Sequence, residues 1–143
     1  MILKDMMREH MNVHTLTSDA RIADAAAMMR EENIGSVVIV DNQDVVTGII
    51  TDRDIALSLA LGAATPDSFV VEVMTKDVKT IHESLTLFDL TRLFRSFKFK
   101  RLPIVDSENR VQGMVSIDDV MALLSREMFD TCKGLESKIG HMV

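Results

Sequence analysis

The chain has no tryptophan, no tyrosine and a single cysteine, with two prolines and six glycines among its 143 residues. One thiol, Cys132, can form neither an internal disulfide nor a cysteine-based metal centre. It suits a reducing compartment, so a cytoplasmic location is expected. With only six phenylalanines, the interior must be filled by aliphatic side chains and by eleven methionines, whose flexible thioethers adapt to irregular spaces. No apolar run approaches the ~18 residues that a membrane span requires. The first ten residues already carry charge, which argues against a secretory signal. Positive charge is also scarce: 16 Lys and Arg stand against 22 Asp and Glu, a formal net charge of -6. Such a chain is repelled by nucleic acid and by anionic lipid unless its cations cluster.

Catalytic groupings are thin. His10, His14, His82 and His141 fit no metal-ligand spacing, and Cys132 has no evident base partner. There is no glycine-rich phosphate loop, and Asp118-Asp119 and Glu31-Glu32 read as solvated pairs. No enzyme activity, catalytic residue or metal is expected. Apolar residues nonetheless make up 47%, enough for a buried core.

What the chain does contain is an internal repeat. A shift of 65 residues lays Val13-His14-Thr15 on Val78-Lys79-Thr80, Asp24 on Asp89, Ile39-Val40-Asp41 on Ile104-Val105-Asp106, Gly48 on Gly113 and Asp54 on Asp119. The register holds without a gap from 13 to 55. Each copy reads as a short strand (Val13–Leu16; Val78–Ile81), then a helix with apolar positions at helical spacing (Ile22, Ala25, Ala26, Met29; Leu87, Leu90, Leu93, Phe94). Thr17-Ser18-Asp19 and His82-Glu83-Ser84 are the candidate caps of those helices. A buried strand (Val37–Val40; Leu102–Val105), a polar turn, a second strand (Val45–Ile50; Val111–Val115) and a second helix from near Asp52 or Ile117 complete the copy. The expected fold class is α/β (α+β), with two β-α-β-β-α repeats. About 60 residues bury a marginal core, so the copies should pack face to face. The expected organisation is repeat 1 at 1–62, a linker at 63–70, repeat 2 at 71–124 and a helical tail at 125–143 that turns polar around Cys132-Lys133-Gly134.

The repeated chemistry lies in Gly48-Ile-Ile-Thr51-Asp-Arg-Asp54 and Gly113-Met-Val-Ser116-Ile-Asp-Asp119. Each runs from a strand end into a helix start, where backbone N–H groups and the helix dipole favour an anion. The hydroxyl can bond a phosphate or sugar oxygen, and the aspartate one turn later can accept both hydroxyls of a ribose. The same Thr/Ser-x-x-Asp pattern is also a helix capping box that needs no ligand. A second feature is the stretch from Arg92 to Arg101, with five basic residues and no acid. It reads as a solvated rim, as a phosphate clamp at Lys100 and Arg101, or as a nucleic-acid patch; the net charge disfavours the last. Phe94 falls on the apolar stripe. Asp52 and Asp118 add negative charge that opposes long polyphosphates unless a divalent cation helps.

Taken in order and twice over, Val-x-Thr, the strand ending in Val-Asp and Gly-x-x-Thr/Ser-x-x-Asp resemble the cystathionine beta-synthase (CBS) domain family. Leu3-Lys-Asp-Met-Met7 and Val71-Glu-Val-Met-Thr75 are similar to the segment that precedes each CBS repeat. The match covers about residues 3 to 124 as a tandem pair. The resemblance implies pseudo-two-fold packing, two clefts and regulation through an adenosyl ligand: AMP, ADP or ATP, or S-adenosylmethionine. It implies one cleft of Asp119, Ser116, Lys100, Arg101, Met114, Val115, Ile34 and Gly35, expected to be the stronger. The other would hold Thr51, Asp54, Ile49, Ile50, Arg53 and Phe99. It also implies a homodimer and a regulated protein partner; the apolar excess of Ile55–Leu61 and Val120–Leu124 makes them, with the tail, the candidate faces, while the net charge disfavours nucleic acid and no membrane is expected. The rival expectation is a ligand-free interaction scaffold.

Overall fold

The computed structural model describes Lys4 and residues 13–96 and 100–140. Strand β1 (Thr15–Thr17), helix α1 (Ile22–Glu32), strands β2 (Ser36–Val40) and β3 (Val46–Thr51) and helix α2 (Asp52–Ala60) form the first half. After a 3-10 turn at Val70–Glu72, the second half repeats the order as β4 (Ile81–His82), α3 (Leu87–Ser96), β5 (Arg101–Val105), β6 (Val111–Ser116) and α4 (Ile117–Gly140). Each half is a three-stranded sheet with the same topology: β1 runs parallel to β2 and β2 antiparallel to β3, as β4 does to β5 and β5 to β6. Even the register irregularities coincide, at Ile39/Val40 and Ile104/Val105. No helix among the described residues is long and apolar enough to cross a membrane.

The two cores show why the repeat register is so strict. Ile22, Ala25, Met29, Val37, Ile39, Ile50 and Ile55 are buried in the first half. The positions 65 residues later, Leu87, Leu90, Phe94, Leu102, Ile104, Val115 and Val120, are buried in the second. Volume is traded between halves, Ala25 against Leu90 and Met29 against Phe94. Full burial of one such aliphatic side chain contributes about 1.5–3 kcal/mol. Ile55 and Val120 thus complete the core, whereas Leu57 and Met121 on the same helices, and Leu61 just past α2, remain exposed.

The halves meet at their hairpin turns. Val46 N–H donates to Asn109 O at 3.2 Å and Val111 N–H donates to Asp44 O at 2.9 Å. These are equivalent atoms exchanged about a pseudo-two-fold axis, with Val45 bridged to Arg110. Asp44 and Asn109 both take the left-handed conformation, φ 63° and 61°, which Asp and Asn tolerate better than most residues. Asp41 and Asp106 hold the turns by accepting from backbone N–H groups two and four residues on. Arg110 adds its Nε–H to Asp106 at 2.9 Å.

Two local expectations are corrected. The candidate caps at Thr17-Ser18-Asp19 and His82-Glu83-Ser84 lie one step too early. The helix starts are held from inside, by Asp24 accepting from Arg21 N–H and by the reciprocal pair Thr86 and Asp89. The first strand of each half begins later than Val13 or Val78. The connector docks on the first helix: Pro66, Ser68 and Asp67 carbonyls accept from Ala23 N–H, Ile22 N–H and the Arg21 guanidinium. Helix α4 runs on through Cys132-Lys133-Gly134 to Gly140.

The segment after the connector crosses between halves. Val70 is fully buried in the first core, with Val73 and Met74 against it, and Thr75 exchanges two backbone hydrogen bonds with Ile49 on β3. Gly48 is what admits this strap, since a Cβ there would overlap the Met74 side chain. Gly48→Val should therefore destabilise by about 1–3 kcal/mol. Adding Met74→Ala should recover part of the loss, a coupling readable in a double-mutant cycle of denaturant unfolding.

Two carboxyls carry a pH dependence. The backbone N–H of Thr86 holds the Asp89 carboxyl below its ordinary value, and that of Arg110 does the same for Asp106. In both cases the folded state binds the proton less readily than the unfolded chain. Their stabilisation is complete above the ordinary carboxylate range and is lost as pH falls through the depressed folded values. Thermal unfolding scans should show stability declining below about pH 4, with a shallower decline in the Asp89→Asn and Asp106→Asn variants.

Candidate functional site

Between the halves lies a cavity of about 660 Å³, within the range of small-molecule sites. The first half contributes the start of β2 (Gly35, Ser36), the end of β3 (Ile49, Thr51) and the start of α2 (Asp52, Arg53, Asp54). The second contributes the strap leading to β4 (Thr75, Asp77, Val78, Lys79) and the start of β5 (Lys100, Arg101, Leu102, Pro103). The two strand starts, Gly35-Ser36 and Lys100-Arg101, are the same repeat positions, facing one space from opposite sides.

The β3–α2 corner has the geometry of a capping box. Thr51 Oγ1 accepts from Asp54 N–H at 3.1 Å, and Asp54 Oδ2 accepts from Thr51 N–H at 3.0 Å. Ser116 and Asp119 repeat it at 3.1 and 2.8 Å. The capping role is therefore realised in both halves. It does not exhaust Asp54, which lines the cavity with Oδ1 outside the capping bond, nor the Thr51 hydroxyl, which accepts there and retains its proton to donate.

The backbone at this helix start is largely committed. Asp52 N–H donates to Gly35 O, Arg53 N–H to Asp52 Oδ1 and Asp54 N–H to Thr51 Oγ1. The expectation of free N–H groups cradling an anion is corrected accordingly. Anion-binding capacity lies instead in Arg53, Lys79, Lys100 and Arg101 along the wall. None of these four is taken up by the ion pairs found among the described residues. Asp52 and Asp77 share the rim and limit how much negative charge it can accept. Ile49, Val78, Leu102 and Pro103 supply apolar surface for a flat ring. Deeper in, the Ser36 hydroxyl is buried and has no hydrogen-bond partner, an unmet polar group that a bound molecule could satisfy.

The residues expected in two clefts are distributed differently here. Thr51, Asp54, Ile49 and Arg53 line this cavity, and so do Lys100, Arg101 and Gly35 from the other expected group. The resemblance grouped Lys100 and Arg101 with Ser116, and in the structure they are neighbours through the backbone: Arg101 is the ladder partner of Ser116 and Lys100 O accepts Ile117 N–H. Both nonetheless line the cavity that holds Thr51 and Asp54, not Ser116 and Asp119. Ser116, Asp119, Met114 and Val115 do not line this cavity; Val115 is wholly buried in the second core. Ile50 is likewise core, and Ile34 packs against it. Phe99 lies outside the described residues. Ser36, Thr75, Asp77, Val78, Lys79, Leu102 and Pro103 were not among the expected contacts. Lys79 was within reach, because it sits inside the repeated Val-x-Thr that opens the second copy.

Relief of the unpaired hydroxyl gives a direct check. Ser36→Ala should leave the ligand-free protein as stable as before or raise its stability by up to about 1 kcal/mol, measured by denaturant unfolding. A buried serine with a hidden protein partner would instead lose stability.

Comparison with known proteins agrees with this architecture. The CBS domain family profile matches residues 3–61 and 70–126. An uncharacterized 17.7 kDa protein of Acidianus ambivalens is 39% identical over 112 residues, covering 78% of this chain and 67% of its own length. The inosine-5'-monophosphate dehydrogenase of Aquifex aeolicus is 33% identical over 111 residues, 77% of this chain but 22% of that enzyme. Among solved structures, the CBS domain pair of protein MJ0100 in complex with 5'-methylthioadenosine and S-adenosyl-L-methionine superposes with a TM-score of 0.74 at 29% identity, covering 89% of this chain and 98% of that one. With the duplicated sheets, the shared core register and the inter-repeat cavity, these matches establish that the chain belongs to the CBS domain family, as a tandem CBS pair.

Proposed function

We propose that this CBS pair is a regulatory module that binds an adenine nucleotide in the cavity between its repeats. It would report occupancy to a protein partner or to a second copy of itself. The observation that carries the reading is the arrangement across one cavity of the Asp54 carboxylate, with an oxygen to spare, and the cations Lys79, Lys100 and Arg101. A ribose needs an acceptor for its two hydroxyls, a phosphate needs cations at nucleoside length from it, and a purine needs the apolar walls between. The likeness to a pair crystallised with two adenosyl compounds supports the adenosyl group. The cationic rim favours a phosphate over the sulfonium of S-adenosylmethionine. Asp52 and Asp77 favour a single phosphate, so AMP should bind more tightly than metal-free ATP. A pair of this kind that makes up 22% of a dehydrogenase is consistent with a role that serves another activity.

This assigns the tighter site to the Thr51/Asp54 corner, with Ser116 and Asp119 as its counterpart in the other half. Titration calorimetry with AMP, ADP, ATP and S-adenosylmethionine tests it. Asp54→Ala should weaken AMP binding about 10- to 100-fold, as expected for loss of hydrogen bonds to a charged acceptor. Lys100→Ala/Arg101→Ala should weaken AMP more than S-adenosylmethionine, and Asp119→Ala should leave the tight site within about two-fold. Absence of both heat and thermal shift with every compound would favour a ligand-free scaffold.

A further inference from the structure

Helix α3 carries an outer face that the second core does not explain. Leu87, Leu90 and Phe94 are buried, whereas Phe88, Arg92 and Arg95 are exposed. Their spacings of four and three put these three on one stripe of the helix surface. Phe88 is 66% exposed, and the Arg92 guanidinium lies 5.3 Å over its ring. Beside the stripe, an open hollow of about 370 Å³ is lined by Leu85, Leu93, Asp89, Ser96 and Arg92. The repeat supplies a comparison. The same positions of α1 are also exposed, and there they hold Ala23, Ala27 and Arg30. Alanine is the best helix former, so the scaffold needs nothing larger at the first two. The second copy has an aromatic ring stacked on an arginine where the first has two methyl groups.

Charge fixes what such a face takes. Arg92 and Arg95 enter none of the ion pairs found among the described residues. Asp89, the only acid of α3, is engaged by the Thr86 N–H and hydroxyl. Covering unpaired guanidinium groups with an uncharged surface is costly, whereas carboxylates match them with paired hydrogen bonds. Aromatic and arginine side chains are also the ones that dominate protein interfaces. We infer that this face docks an acidic segment of a partner protein. An apolar anchor sits in the Leu85/Leu93 hollow beside Phe88, and carboxylates meet Arg92 and Arg95. A nucleic acid fits less well, because two cations neutralise only about two phosphates and the chain's net charge of -6 repels the rest. The face gives the partner of the nucleotide reading a place and a charge. Yet none of Phe88, Arg92 and Arg95 lines the inter-repeat cavity, so the docking stands even if that cavity binds nothing.

Random peptides of about 16 residues, displayed on phage and selected on the full chain, test it. The selected sequences should be rich in Asp and Glu around a leucine or aromatic anchor. By fluorescence polarisation, Phe88→Ala and Arg92→Glu/Arg95→Glu should each weaken these peptides about ten-fold or more. Arg30→Glu, the equivalent change on α1, should leave them within about two-fold. The changed side chains are exposed, so circular dichroism and thermal unfolding should match the wild type. A selected peptide with lysines in place of its acids should bind Arg92→Glu/Arg95→Glu and not the wild type. Selected peptides without acids, no selected peptide at all, or weakening by Lys100→Ala/Arg101→Ala but not by the α3 variants would each overturn the inference. So would single-stranded RNA that binds more tightly than the peptides through Arg92 and Arg95. A lower sedimentation mass in Phe88→Ala would overturn it as well, by placing a second copy of the chain on this face.

Discussion

Two hydrogen bonds between equivalent turns govern how this molecule is put together. Val46 N–H to Asn109 O and Val111 N–H to Asp44 O join the hairpins at equivalent atoms, so each half is the other's partner through the same surface. Such an isologous contact leaves little freedom in how the halves face one another. It turns the start of β2 and the start of β5 toward a common space. The cavity is thus a product of the symmetry, and its chemistry is a product of the departures from it. Where the first half has Gly35 and Ser36, the second has Lys100 and Arg101. One strand start leaves room and an unmet hydroxyl, while the other brings positive charge.

The fold was readable because duplication tests every inference twice. A lone Ala25 says little about burial, but Ala25 and Leu90 at the same repeat position, both wholly buried, define a core site that tolerates a change of volume when its neighbours compensate. The same holds for the turns, where Asp41 and Asp106 could be recognised as hairpin anchors from the Val-Asp that ends each strand. The caps were harder. Short polar residues cluster before both first helices, and only the structure distinguishes which of them contact an N–H. Asp24 and Asp89 lie inside their helices and reach backward, a geometry that a forward search from the strand end misses.

The site was legible by residue type and less so by grouping. Asp54, Thr51, Lys100 and Arg101 were all singled out, yet the two cations were paired with the corner that adjoins them in the ladder. Adjacency along a backbone ladder and the space that a side chain lines are different things, and sequence reports the first. The strap was invisible for a related reason. Thr75 to Asp77 lie between the first copy and the Val-x-Thr that opens the second, so their place in the sequence does not mark them as a wall shared with the first.

That strap has a consequence for where one half ends. Val70, Val73 and Met74 complete the hydrophobic interior of the first sheet although the family profile counts them with the second copy. The stretch that repeats in sequence and the stretch that fills one core are therefore not the same. Severed at the connector, the amino-terminal portion would be left with an open core where Val70 belongs, and the carboxy-terminal portion would carry a stray greasy leader. The two copies are clasped, each lending meaning to the other, and the chain is indivisible at the one place where its evolutionary history would invite a cut.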